Sequence, residues 1–212
     1  AYGQQPGHTS FYYPKKHGYG EVWLRMANAL DGKILYRAEV SGLDCEKKIV
    51  TTKSGESYSA EKIITTIPWR CFEKISGMPE KLTASIENLK SSAIETRYVF
   101  ENLDTSAQWI YIPDEKKPYH RILVRHNFCP DSKGYWMETR KERAILFDKE
   151  AEYSYVNEYA YPLNTVGKPE IMKKLLTFCN EKQIYGLGRW GEHCHYNSDL
   201  VVELAMNLAG GI

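Results

Sequence analysis

The chain has 212 residues, 42% of them apolar and 26% charged, with a formal net charge of +1. That length accommodates one large domain or two small ones. The near-neutral balance gives no polyelectrolyte pull and no acidic tail. No apolar run approaches the roughly 20 residues of a membrane span. Neither nucleic acid nor a membrane is therefore expected as a partner.

Five cysteines stand at 45, 71, 129, 179 and 194. None forms a CxxC pair, and the odd, scattered set argues against a disulfide framework. Free thiols in a reducing cytoplasm are expected. No signal peptide is expected at the start. The opening at Ala1, without a methionine, leaves room for a longer natural chain.

Residues 1–20, rich in Gly, Tyr and Pro, predict loop or edge strand. Val22, Leu24, Met26, Ala27 and Leu30 predict a short helix over 21–30, stopped by Asp31-Gly32. Strands are predicted over 34–40, 48–52 and 57–67, with a turn at Ser54-Gly55-Glu56. These make a small antiparallel meander. Its last piece, Lys62-Ile63-Ile64-Thr65-Thr66-Ile67-Pro68, is an apolar run closed by proline. Such a run suits a strand buried on both faces in a parallel sheet, so it is expected to leave the meander. A helix is predicted over 79–91. Strands are then predicted over 93–100, 109–112, 120–126, 134–138 and 153–160. Pro169 opens a helix to about Asn180, since its missing N–H costs nothing in a first turn. A short strand at 184–188 and a final helix over 199–208 complete the pattern.

The most informative stretch is Gly186-Leu187-Gly188-Arg189-Trp190-Gly191-Glu192, followed by Tyr196-Asn197-Ser198-Asp199 and a helix. Glycines at a strand end let another backbone or a ligand approach closely. An arginine there can hold a phosphate through two parallel hydrogen bonds. Asn197, Ser198 or Asp199 can cap the helix, whose first-turn N–H groups form an anion site. A capped helix after a tight turn explains the same residues without a ligand. Other signals are equally two-sided. The 16 tyrosines, against 6 phenylalanines, suit half-buried strands or a polar pocket for a sugar or nucleotide. Arg121 and Arg125, on one predicted strand, share a face by period two, either solvated or phosphate-binding. His193-Cys194-His195 has no second pair at structural-zinc distance, so no metal is expected. Those two histidines are expected to point the same way, at the surface or along a cofactor. No serine or cysteine stands in a recognisable nucleophile motif.

Three blocks carry a resemblance. They are Tyr13-Pro14-Lys15-Lys16-His17-Gly18-Tyr19-Gly20 with the meander ending Ile63-Ile64-Thr65-Thr66-Ile67-Pro68; Pro118-Tyr119-His120-Arg121-Ile122-Leu123; and Tyr159-Ala160-Tyr161-Pro162 with the Gly188-Arg189 turn. The chain resembles the C-terminal part of flavin enzymes of the amine oxidase and UDP-galactopyranose mutase group. The resemblance implies an α/β (mixed α+β) fold. It would comprise an antiparallel-sheet substrate domain and the C-terminal pieces of an FAD-binding Rossmann-like domain whose N-terminal βαβ is absent. Residues 1–32 and 71–165 would be substrate domain, with 33–70 and 166–212 returning to the FAD part. FAD is the implied cofactor. By match, Val40, Gly188, Arg189, Asn197, Ser198 and Asp199 would border it, and Arg121, Tyr161 and His195 would face a small-molecule substrate such as a nucleotide sugar. In a mutase, Arg121 and Arg189 would hold the diphosphate; in an oxidase the flavin would accept a hydride. No catalytic side chain is assigned, because the cofactor carries the chemistry.

Two departures stand out. There is no GxGxxG with an acidic residue about 20 positions on, so this chain is expected to hold FAD weakly or not at all. The arginine that mutases place shortly before the first-block proline is missing from Thr9-Ser10-Phe11-Tyr12-Tyr13.

Overall fold

Prolines, turn glycines and left-handed residues cut the chain into short elements, described over residues 12–147 and 153–211 of a computed structural model. The stretch Thr9-Ser10-Phe11 lies outside them. In chain order the elements are α1 (Tyr19–Asn28), β1 (Val40–Asp44), β2 (Ile49–Thr52), β3 (Ser57–Ser59), β4 (Ile63–Thr65), β5 (Lys74–Ser76) and α2 (Glu80–Ser85). There follow β6 (Ser91–Val99), β7 (Trp109–Tyr111), β8 (Arg121–Val124), α3 (Arg125–Phe128) and β9 (Tyr135–Arg140). The last are β10 (Tyr153–Pro162), α4 (Lys168–Glu181), β11 (Ile184–Gly186), α5 (Gly188–Gly191) and α6 (Ser198–Gly211). Mixed helix and antiparallel sheet agree with the fold class expected from the sequence.

The chain divides into two compact units, Ala1–Leu35 with Ile94–Asn157, and Tyr36–Ala93 with Glu158–Ile212. The first is built on a five-stranded sheet of order β10-β6-β9-β8-β7. The pairs β6–β9, β9–β8 and β8–β7 are antiparallel. Their register sets Tyr98, Trp136, Leu123 and Trp109 in one cross-strand row, and Thr96, Glu138, Arg121 and Tyr111 in the next row on the same face.

The second unit holds the main core: Leu43, Cys45, Trp69, Phe72, Ile86, Leu89, Met172, Leu175, Cys179 and Ile184. α4 explains much of it. Its apolar residues Ile171, Met172, Leu175, Phe178 and Cys179 recur at helical spacing, and Pro169 stands in its first turn. Glu170 and Lys174 pair at 2.7 Å on the wet side. Leu175 is completely buried, which stabilises the fold by about 1.5–3 kcal/mol. Gln183, at φ 60, turns the chain into β11.

The meander forms as β1, β2 and β3, antiparallel throughout. The expected departure of its last piece also occurs: Ala60–Lys62 break the run, and β4 pairs in parallel with β11 in a separate two-stranded sheet. Three expectations change. The strand expected over 34–40 is mostly turn, because Arg37 adopts φ 61 and the ladder starts only at Val40. Ser41-Gly42-Leu43-Asp44 continues the strand from Val40, paired with β2 on one side and in parallel with β5 on the other. Ile64 is 45% exposed, so β4 is not buried on both faces. Finally, the strand expected over 120–126 stops at Val124. Asn127 Nδ2 donates to the Thr105 and Ala107 carbonyls at 2.7 and 2.8 Å and fixes α3 instead. Arg125 therefore does not share a strand face with Arg121.

Candidate functional site

In the second unit, β4 and β11 run parallel, so their C-terminal ends, Thr65 and Gly186, lie at the same end of the pair. Loops beyond that end are where open α/β sheets bind ligands. Here the chain passes from Gly186 into α5 and on to α6.

Backbone packing accounts for two of the three glycines. A Cβ on Gly191 would stand 2.4 Å from the Thr65 carbonyl oxygen, and one on Gly186 would stand 2.3 Å from the Gly191 carbonyl oxygen. The close approach is thus chain to chain. Trp69 Nε1 donates to the Gly191 carbonyl at 2.8 Å and locks the turn from below. Gly188 is needed for a different reason: it has φ 74. Its N–H donates to Glu192 Oε2 at 3.0 Å, while burial pushes the Glu192 carboxyl above its usual range. The i, i+4 spacing of Gly188 and Glu192 is the sequence signal for this contact.

Arg189 is held by carbonyls. Its Nε and Nη2 donate to the Tyr196 carbonyl at 3.2 and 2.8 Å, and Nη1 donates to the Ala160 carbonyl at 3.2 Å. The Nε–Nη2 edge expected for a bidentate phosphate is therefore occupied. Its guanidinium carbon lies 5.5 Å from the Tyr161 ring centre, and Tyr161 lies 5.0 Å from the His195 ring. The structure thus brings together three of the residues singled out: Arg189, Tyr161 and His195. Burial, with a hydrogen bond to the Cys194 thiol, pushes the Tyr196 hydroxyl up to about 12.

His193 and His195 do not share an orientation. His193 has φ 51 and is 3% exposed, so a surface role for it is overturned. Its Nε2 lies 3.1 Å from the Lys90 carbonyl, and its ring meets Trp190 at 5.8 Å. Burial holds its imidazole below the ordinary range. Among the described residues, no group of three His, Cys, Asp or Glu could hold a metal ion.

Asn197, Ser198 and Asp199 are exposed at the start of α6. The Asn197 carbonyl accepts the Val201 N–H at 3.1 Å, which makes Asn197 the N-cap. Val40 is half-buried at the head of β1 opposite Thr52, with a bulge before Gly42.

Arg121 belongs to the first unit. Its Nε donates to Glu138 Oε2 at 2.6 Å, and the two side chains are only 23% and 13% exposed. Its guanidinium carbon lies 5.9 Å from the Tyr111 ring. Glu138 neutralises this cation, and only the sheet register, not the sequence, pairs the two residues.

The five cysteines are free. Burial raises the thiols of Cys45 and Cys179 to about 11 and about 12, so neither is a nucleophile at neutral pH. No helix among the described residues is long and apolar enough to cross a membrane.

Residues 2–99 match the profile of the family described as flavin containing amine oxidoreductase. No curated protein matches the chain. Among solved structures, reduced UDP-galactopyranose mutase superposes with TM-score 0.67 at 18% identity, covering 84% of this chain and 46% of that one. A CLA-producing fatty acid isomerase from P. acnes superposes with TM-score 0.67 at 10% identity, covering 92% and 52%. A candidate protoporphyrinogen oxidase from Exiguobacterium sp. 255-15 gives TM-score 0.52 at 14% identity, covering 81% and 46%. The chain thus spans about half the length of the solved structures it matches. At these identities the likeness is one of fold, that of the C-terminal part of such proteins. The family match covers residues 2–99, and the rest of the chain shares the fold of the C-terminal part of flavin amine oxidase-like proteins.

Proposed function

We propose that this chain is the C-terminal part of an FAD-dependent enzyme acting on a small molecule, with a nucleotide sugar as the leading substrate class. The observation that carries the reading is the parallel pair β4–β11 opening into the α5 turn and the α6 N-terminus, in a chain whose residues 2–99 match this family.

The residues present suit one side of a flavin, not its pyrophosphate. Gly186 and Gly191 are packed by backbone and leave no cradle. The start of α6 is open, and its first N–H groups can face an anionic ring edge. Gly188, Asn197, Ser198 and Asp199 would border the cofactor there, with Val40 approaching it separately by its backbone. Arg189 serves by fixing the turn: its carbonyl bonds tie β10 to the loop before α6. When bound, FAD supplies the electron pair or the hydride acceptor that no side chain here provides. Tyr161 and His195 would meet substrate beside the turn. Arg121 would meet a diphosphate only by sharing its charge with Glu138. The free thiols suit a reducing cytoplasm.

An assay of UDP-galactopyranose turnover by the natural full-length protein, with and without dithionite, tests the substrate class. Isomerisation that requires reductant, with no net redox change, is expected. Oxidation of an amine without sugar isomerisation would replace the mutase reading with the oxidase one, which the family match favours.

A further inference from the structure

The first unit contains a cavity of about 470 Å³, between the Tyr13–Gly18 turn and the sheet face around Leu123 and Trp136. Small-molecule sites commonly span roughly 300–1,000 Å³ with apolar walls and a few polar groups. This cavity has that make-up. Tyr13, Phe128 and Trp136 supply flat rings. Each ring is fixed by another: Phe128 lies 5.1 Å from Tyr13 and stacks on Trp109 at 5.8 Å, and Trp136 lies 4.7 Å from Tyr98.

Two opposite charges line the same space, Arg125 and Asp131. Neither makes an ion pair with the other or with any other described residue. Arg125 lies over the Tyr98 ring at 5.6 Å, and its Nη1 donates weakly to the Tyr98 hydroxyl at 3.5 Å. Those contacts aim the guanidinium and leave most of its donors open. Asp131 stands in a tight turn fixed by the Ser132 N–H and hydroxyl, both donating to the Cys129 carbonyl at 2.9 and 2.6 Å. His17, at φ 64 beside Gly18 at φ 75, holds the opposite wall in a conformation costly for a non-glycine residue.

We infer that this cavity binds a flat aromatic carboxylate that also carries a hydrogen-bond donor. The ring stacks among Tyr13, Phe128 and Trp136, the carboxylate takes the Arg125 fork, and the donor reaches Asp131. Because Arg125 and Asp131 cancel, a bare dianion is disfavoured and a ligand with matched acceptor and donor is preferred. The donor can be an ammonium or a phenol. This site stands without the flavin reading.

Calorimetric titration of the purified chain tests it with four probes. Phenylalanine carries an ammonium and 4-hydroxyphenylacetate a phenol; phenylacetate lacks the donor and 4-methylphenol lacks the carboxylate. At least one of the first two is expected to bind about tenfold tighter than the last two. Which of them wins identifies the donor. R125Q is expected to weaken the winner about tenfold, and Asp131→Ala to bring it to the level of phenylacetate. Both side chains are exposed, so unchanged thermal midpoints are expected of the variants. The ranking on the unaltered chain needs no variant. No saturable binding, equal affinity for all four probes, or an R125Q variant with undiminished affinity would overturn the inference.

Discussion

At the scale of single residues, burial decides more than residue type. His193 stands in a His-Cys-His triplet expected at the surface or along a cofactor, yet its ring is buried against Trp190 and the Lys90 carbonyl. Burial lowers its pKa, and the nearby Lys168 charge adds to the effect, while the Lys90 contact opposes it. The folded state therefore binds this proton less readily than the unfolded chain, whose histidine titrates near 6.5. Its contribution is fully present above that pH and is lost as pH falls through and below it. Thermal midpoints measured from pH 8 down to about 5 are expected to drop. In His193→Gln the drop is expected to shrink without vanishing, because His120 is lowered by burial in the same sense. An unchanged slope would contradict this account of His193. The glycines give a sharper case. Gly191→Ala forces a Cβ onto the Thr65 carbonyl, with no flexible atom to yield. A loss of more than about 2 kcal/mol in denaturant unfolding is expected. In the sequence Gly186, Gly188 and Gly191 look alike. Only the fold shows that two of them serve backbone packing and one a positive φ.

At the scale of elements, helical period was a better guide than strand pattern. α4 and α6 lie within a few residues of their expected positions, since apolar spacing and Pro169 specify them locally. Strands depend on partners that no local window contains. β1 is written in turn-forming residues and persists because β2 and β5 flank it. The segment at 34–38 is predicted as strand, and Arg37 at φ 61 turns it before the ladder begins. β4 lay between these cases: its departure from the meander was legible in the run ending at Pro68, whereas the exposure of Ile64 was not. Two substitutions separate core from surface here. Leu175→Ala in α4 is expected to cost about 2–5 kcal/mol. Ile64→Thr is expected to cost about 1 kcal/mol or less, because Ile64 is 45% exposed. Equal losses from the two, measured by urea unfolding, would contradict the assigned core.

At the scale of the whole molecule, the sequence carried the fold and the flavin-enzyme resemblance. Three short blocks pointed to a flavin enzyme, and residues 2–99 and the shared fold agree. What the blocks did not reveal is how far each singled-out cation is already engaged. Arg189 is bound to two carbonyls, and Arg121 to Glu138. Those partners lie 7 to 29 residues away along the chain, and Arg189 meets Tyr196 and Ala160 through their carbonyls, which residue type does not reveal. The arginines thus hold the protein together before they hold any phosphate, and the flavin remains the source of reactivity in the proposed enzyme. That claim is tested most directly by the visible absorption spectrum of the natural full-length protein, recorded as purified and again after FAD is added. The account predicts the bands of oxidised flavin, bleached on reduction. A protein that stays colourless after added FAD would contradict it.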